Sequence, residues 1–213
     1  MPCVQALRSI SARDGDYAGA DYELGMVTEH LIRLGHRRIA FLSGDKAHSA
    51  TEARRAGFMA AMRRHQLSPD LLLRIPLTRR AGAEAVTALI DQPEAPTAVV
   101  CFNDVLAFSV MVGLQRRGLQ PGIDLAVTGV DDIPEAAMSY PALTTVSTMP
   151  REVGEAAAQL LLRRINDPMG APERIILPAR LIVRESCGAM APRLRPPANI
   201  TRPASAPRRS GTN

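Results

Sequence analysis

An α/β fold, with a mainly parallel sheet flanked by helices, is predicted by three features of this 213-residue sequence. Short apolar runs alternate with amphipathic stretches of ~10–15 residues, the rhythm of right-handed βαβ units. Glycine and proline punctuate the joints between them. Two of the apolar runs stop on paired polar residues: Ala98-Val-Val-Cys-Phe102 on Asn103-Asp104, and Leu125-Ala-Val-Thr-Gly-Val130 on Asp131-Asp132. A buried run ending this way is the carboxyl end of a parallel strand, the edge where open α/β sheets bind ligands. Two such ends predict one shared polar pocket.

The elements follow in order. Residues 1–21 show no clear period. Leu24, Val27, Leu31 and Leu34 fall at helical spacing and predict a helix over 22–34, with Gly35 as its left-handed terminator. A strand follows over 38–43. The segment 50–66 reads as a helix with a small-residue packing face of Ala53, Gly57, Ala60 and Ala61. A proline-bounded strand over 71–76 and a helix over 80–91 come next. Then come a strand over 97–102, a helix over 105–117 stopped by Gly118, and a strand over 124–130. A helical turn near 135–138, a strand over 143–147 and a helix over 151–166 complete the alternation. Residues 174–177 and 180–183 suggest a final strand pair. From 189 onward the chain is rich in Pro, Arg, Ser and Ala, without an apolar period, and is expected to be disordered.

The formal net charge of +5 invites a nucleic-acid reading. Its distribution weakens that reading. Residues 190–213 carry five arginines and no acid, which leaves 1–189 formally neutral. Cys3, Cys101 and Cys187 are odd in number and widely spaced, as expected of reduced thiols in a cytosolic protein. No apolar stretch approaches the ~20 residues of a membrane span. The N-terminus lacks the apolar core of a signal peptide. The expected location is the cytoplasm.

Each polar constellation has a structural reading beside the functional one. Asn103-Asp104 opens a helix, and either residue can cap it. Asp104 is the better cap, and Asn103 has an amide to spare for a ligand. Asp132, before Ile133-Pro134, is the better cap of its pair, and Asp131 the better pocket residue. Paired acids can instead bind a divalent cation, as in phosphoacceptor receiver domains, but that chemistry wants a lysine at a later strand end. The only lysine is Lys46. Arg54 and Arg55 lie in the first turns of a helix, where the dipole disfavours cations, so a structural role is less automatic. A guanidinium there suits hydroxyls or a carboxylate. His30, His36, His48 and His65 have no metal-ligand spacing, and His36 reads as a helix-end residue. Ser43 and Ser49 sit near a strand end without a nucleophile elbow, and no phosphate loop or Gly-x-Gly-x-x-Gly occurs. The constellation is one of binding, with no enzyme, cofactor or metal expected.

Several segments together resemble the effector-binding domain of LacI/GalR-type transcription regulators. They are 28–44 (Thr-Glu-His-Leu-Ile-Arg-Leu-Gly-His-Arg-Arg-Ile-Ala-Phe-Leu-Ser-Gly), Arg54-Arg-Ala-Gly-Phe58, 96–104, Val127-Thr-Gly-Val-Asp-Asp132 and Pro141-Ala-Leu-Thr-Thr-Val146. The resemblance implies a type I periplasmic-binding-protein-like fold, two α/β lobes closing on a small molecule, usually a sugar or nucleobase. Arg54, Asn103 and Asp131 match the family's polar effector contacts. Leu77 stands where many members place an aromatic ring, and Thr148 where members often carry Gln; with Phe102 these are the expected walls of the site. The division implied is 1–36 as a remnant of the first lobe, 37–147 as the second lobe, complete, 148–188 as a return to the first, and 189–213 as a tail. The chain would then be N-terminally truncated. Its partners would be a carbohydrate effector, a second copy in a homodimer, and operator DNA only through a helix-turn-helix domain absent from this chain, with no membrane partner. Two other readings stand beside it: a free-standing sugar-binding protein without a DNA role, and a small metal-dependent enzyme using Asp131 and Asp132.

Overall fold

The computed structural model describes residues 3–6, 16–20, 25–45 and 49–189, without the side chains of Ala20 and Ser49. The expected tail beyond 189, and Leu24, Lys46 and His48, lie outside the described residues.

Six strands form the main sheet. In chain order they are β3 (Ile39–Gly44), β4 (Leu72–Ile75), β5 (Ala98–Cys101), β6 (Ala126–Val130), β7 (Thr144–Ser147) and β9 (Arg180–Ile182). Their spatial order is β4-β3-β5-β6-β7-β9. The first five run parallel, and β9 pairs antiparallel with β7. The winding direction reverses between β3 and β5, the switch point of a doubly wound sheet.

The central strands β3, β5 and β6 are mostly apolar and buried throughout, because both of their faces are covered. Side chains alternate between the faces. Ala40, Leu42, Val99, Cys101 and Val127 pack under α3 (Arg79–Ile90) and α4 (Asp104–Arg116). Ile39, Phe41, Ala98, Val100, Ala126 and Val130 pack under α1 (Gly25–Arg33) and α2 (Ser49–Arg64). Phe41 and Phe58 stack there with ring centroids 5.4 Å apart. Within α2 the buried side chains are Thr51, Arg54, Phe58, Ala61 and Met62. Ala53 and Ala60 are exposed, so the expected small-residue face is shifted around the helix.

Helix ends follow the glycine signals. At α1, the Gly35 amide (φ 102°) donates to Ile32 O and the His36 amide to Leu31 O, a Schellman closure. Gly118 and Leu119 close α4 in the same way.

A second sheet was not legible in the sequence. It is the parallel set β1 (Val4–Ala6), β2 (Asp16–Ala20) and β8 (Arg174–Leu177), covered by α6 (Pro150–Asn166). Its polar anchor is Asp16, buried and paired with Arg164 Nε and Nη2 at 2.8 and 2.9 Å. That guanidinium holds the Asp16 carboxyl down at about 2, against the burial that would raise it.

The structure corrects one expectation of the fold. Residues 174–177 and 180–183 do not pair with each other: β8 joins β2, and β9 joins β7. The two residues between β8 and β9 carry the chain from one sheet to the other. The described part of residues 1–36 is divided between the two sheets. Val27, Leu31 and Ile32 of α1 are buried against the main sheet, while β1 and β2 lie in the small one. Within 148–188, α6 and β8 belong to the small sheet and β9 to the main one.

Candidate functional site

The carboxyl ends of β3, β5, β6 and β7 place Gly44, Phe102-Asn103, Asp131 and Thr148 along one edge of the main sheet. From α2, Arg54 reaches this edge at the switch point. Its side chain is buried against Phe102 and Asp131. Nη1 donates to Phe102 O at 2.6 Å, Nη2 donates to Asp131 Oδ1 at 2.9 Å, and the guanidinium carbon lies 4.5 Å from the Phe102 ring centroid. Cation–π contact and a charged hydrogen bond explain why a cation is tolerated near a helix N-terminus.

Asp131 is the more open partner, with 36% of its side chain exposed against 6% for Arg54. Burial raises its pKa and Arg54 opposes that rise. One carboxylate oxygen is spent on Arg54, and the other can accept from a ligand.

Asn103 is the N-cap of α4: its Oδ1 accepts from the Leu106 amide at 2.9 Å. The side-chain amide is left to donate. Leu77, 48% exposed, packs against Gly44 and lines a small cavity of about 30 Å³ with Asn103. Phe102 and Thr148 are buried, Thr148 just past the end of β7. The structure thus joins Arg54, Phe102 and Asp131 in one cluster and Leu77 with Asn103 in another. Thr148 follows β7, the strand beside the one that leads into Asp131.

Two capping assignments are corrected. Asp104 does not cap α4. It is the first helical residue, fully buried; its Oδ2 accepts from the Ile133 amide at 2.9 Å and its Oδ1 from the Thr145 hydroxyl. A Cβ on Gly129 would collide with that carboxylate, so a glycine in β6 makes the room. Burial drives the Asp104 pKa up to about 7, despite both hydrogen bonds. Asp132 does not cap α5 (Glu135–Met138), which has no side-chain cap; its Oδ1 accepts from Arg184 Nη2 at 2.9 Å. The physical reason is common to both. A cap oxygen must precede the helix and face its first amides, and here each carboxylate is turned to another partner.

Asp131 and Asp132 have φ of 114° and 53°, a strained pair of positions for side chains other than glycine. Arg54, Arg184 and the Asp104–Ile133 bond hold this turn. Neither Arg184 nor Thr145 carries a local sequence signal, because each acts through a residue some 40 or more positions away. Among the described residues, no group of three His, Cys, Asp or Glu side chains could hold a metal ion. The aspartates diverge onto separate partners.

A model of the periplasmic binding protein-like domain matches residues 28–187. The HTH-type transcriptional repressor PurR of Haemophilus influenzae (strain PittEE) is 32% identical over 166 residues, 76% of this chain and 49% of the relative. The chain spans about half the length of the curated relatives it matches. Among solved structures, a LacI family transcriptional regulator from Enterococcus faecium with bound ribose superposes with a TM-score of 0.76 at 30% identity, over 86% of this chain and 68% of that one. The transcriptional regulator CelR in complex with cellobiose gives a TM-score of 0.78 at 29% identity, over 86% of this chain and 58% of that one. The chain belongs to the periplasmic binding protein-like domain family and, within it, to the LacI family.

Proposed function

We propose that this chain senses a neutral, hydroxyl-rich small molecule, a sugar, at the carboxyl edge of the main sheet. The carrying observation is the Arg54–Asp131 pair at the switch point. Arg54 is already engaged by a carboxylate, a carbonyl and a ring, so its two terminal nitrogens are committed within the protein rather than to a phosphate or carboxylate ligand. The site offers an acceptor at Asp131 and a donor at Asn103, the mixed set that a diol needs. Arg54, Asn103 and Asp131 are the proposed contacts, and Leu77, Phe102 and Thr148 the walls. The small sheet with α6 is proposed as part of the opposing lobe. Ribose and cellobiose in the two structural relatives support the ligand class.

In the whole regulator, sugar binding here would change the affinity of a helix-turn-helix portion for operator DNA, in the cytoplasm. The assembly would be a homodimer. Helix α4 is apolar nearly all round, and a helix of that kind is normally covered. Leu106, Val110 and Leu114 face the core, yet Val105 and Val112 are 40% and 42% exposed. With Phe108 they line a groove of about 600 Å³ between α3 and α4, and Arg79, Arg80, Arg116 and Glu135 share its lining. A second copy presenting the same face would bury the apolar stripe and offer Glu135 to the arginines.

Thermal melting with D-ribose, cellobiose and ribose 5-phosphate tests the ligand class. A sugar at 100 times its Kd adds ~2.7 kcal/mol, which raises Tm by ~5–10 °C in a domain of this size. One of the neutral sugars raises Tm, and Asp131→Asn removes the rise. No shift from either neutral sugar at tens of millimolar, or a larger shift from the phosphate, overturns the reading.

A further inference from the structure

The strained Asp131-Asp132 turn is held from three directions. Arg54 and Asp104 come from helices that cover the main sheet. The third hold, Arg184, comes from just beyond β9, the strand that the chain enters directly from β8 of the small sheet. Its guanidinium forks: Nη2 donates to Asp132 Oδ1 at 2.9 Å and Nη1 to Leu143 O at 2.8 Å.

The root of this arm is fixed as firmly as its tip. The Arg184 amide donates to Thr144 Oγ1 at 2.8 Å, and the Arg184 carbonyl accepts from the same hydroxyl at 3.0 Å. Two residues on, buried Ser186 accepts from the Thr144 amide at 2.9 Å and donates to Val127 O at 2.6 Å. The side chains of Arg184 and Asp132 are 19% and 24% exposed, so the pair is largely shielded from solvent screening.

We propose that Arg184 is a positioning residue that ties the Asp131 turn to strand β9, so that turn and strand open as one unit. Occupancy at Asp131 is then felt at the chain crossing between the two sheets. The functional half of this statement rests on Asp131 being the effector contact. The mechanical half does not, because it concerns a hydrogen bond between two segments of the chain.

Amide hydrogen exchange on the full chain without ligand tests the tie, using Arg184→Gln, Asp132→Asn and Arg184→Lys. Losing a shielded, charge-assisted bond should speed local opening by ~10-fold or more. Coupling is reciprocal, so each single variant must act at both ends. Arg184→Gln speeds exchange at residues 131–133 as well as 180–184. Asp132→Asn does the same, including at the remote end. Arg184→Lys, which keeps the charge but not the fork, restores part of the protection. Phe41 and Val100 in the central strands are unchanged.

An effect confined to the substituted end overturns the proposal, and so does a uniform rise that includes the central strands. If Arg184→Gln fails to fold, Asp132→Asn decides by its effect at 180–184. Coupled exchange in a chain that no neutral sugar stabilises would overturn the effector reading and leave the tie standing.

Discussion

Asp104→Asn should change how stability depends on pH. Asp104 is fully buried without a cation beside it, and its pKa stands at about 7 against an ordinary 3.8. Between those values the folded chain keeps a proton that the unfolded chain releases. Asp104 therefore stabilises the fold fully below pH ~4 and loses that contribution as pH rises through about 7. At 1.36 kcal/mol per unit, moving from pH 8 to pH 4.5 spans ~2.5 units below the folded pKa, or ~3 kcal/mol. His36 works in the opposite sense. Burial holds its pKa down to about 4, so the neutral fold loses stability as pH falls below 6.5. Asn keeps an acceptor for the Ile133 amide but cannot titrate. Urea melts of both proteins at pH 8, 6 and 4.5 isolate the aspartate, because the His36 contribution cancels in the difference. The stability of the native chain minus that of Asp104→Asn should rise by ~3 kcal/mol on acidification. Two parallel curves, with a difference constant to within ~0.5 kcal/mol, would refute the argument that a buried, unpaired carboxyl sits here.

Two further outcomes follow from other residues. Asn103→Ala should lower stability by ~1 kcal/mol through loss of the α4 cap, whereas Asn103→Ser keeps a capping oxygen and most of that stability. Both remove the amide donor, so thermal shifts with D-ribose and cellobiose should weaken equally in the two variants. Val112→Arg places a charge in the middle of the α3–α4 groove, beside three arginines. Light scattering should show a dimer for the native chain and a monomer for the variant. A native monomer at ~100 μM refutes the dimer face, since obligate pairing at that concentration needs only a modest Kd.

The main sheet was legible because its signals are local. Helices α1 and α3 repeat their apolar residues with a helical period, and Gly35 and Gly118 stop α1 and α4 in left-handed conformations. The helical turn α5 (Glu135–Met138) falls where the residues after Pro134 suggest one. The small sheet was not legible. β1 has three residues, and β2 begins with Asp16, whose burial makes sense only with Arg164, 148 residues away. The partner of β8 is equally remote, 157 residues back in the chain, and that of β9 lies across α6 and β8. Nothing in residues 174–183 says that one strand belongs to β2 and the other to β7, because both are short, begin with Arg and are only partly buried.

The roles of the aspartates were misread for a narrower reason. Cap and first helical residue differ by one position, and sequence cannot say which way the second side chain turns. Gly129 decides it for Asp104, by leaving a space that Thr145 and the Ile133 amide then line. Arg184 decides it for Asp132. Both choices favour a single outcome at Asp131. A non-glycine residue at φ 114° costs roughly 1–3 kcal/mol and persists only where its surroundings insist on it. Here the next two residues are pinned: Asp132 by Arg184, Ile133 by Asp104. Arg54 then takes one of the two carboxylate oxygens. A carboxylate held so tightly would, as the proposed contact, have little side-chain or backbone freedom left to lose on binding a hydroxyl. The strain is thus better understood as preorganisation of Asp131 than as a defect of the turn. The same network gives Asp131 a fixed mechanical link to β9, which a freely rotating aspartate at that position would lack.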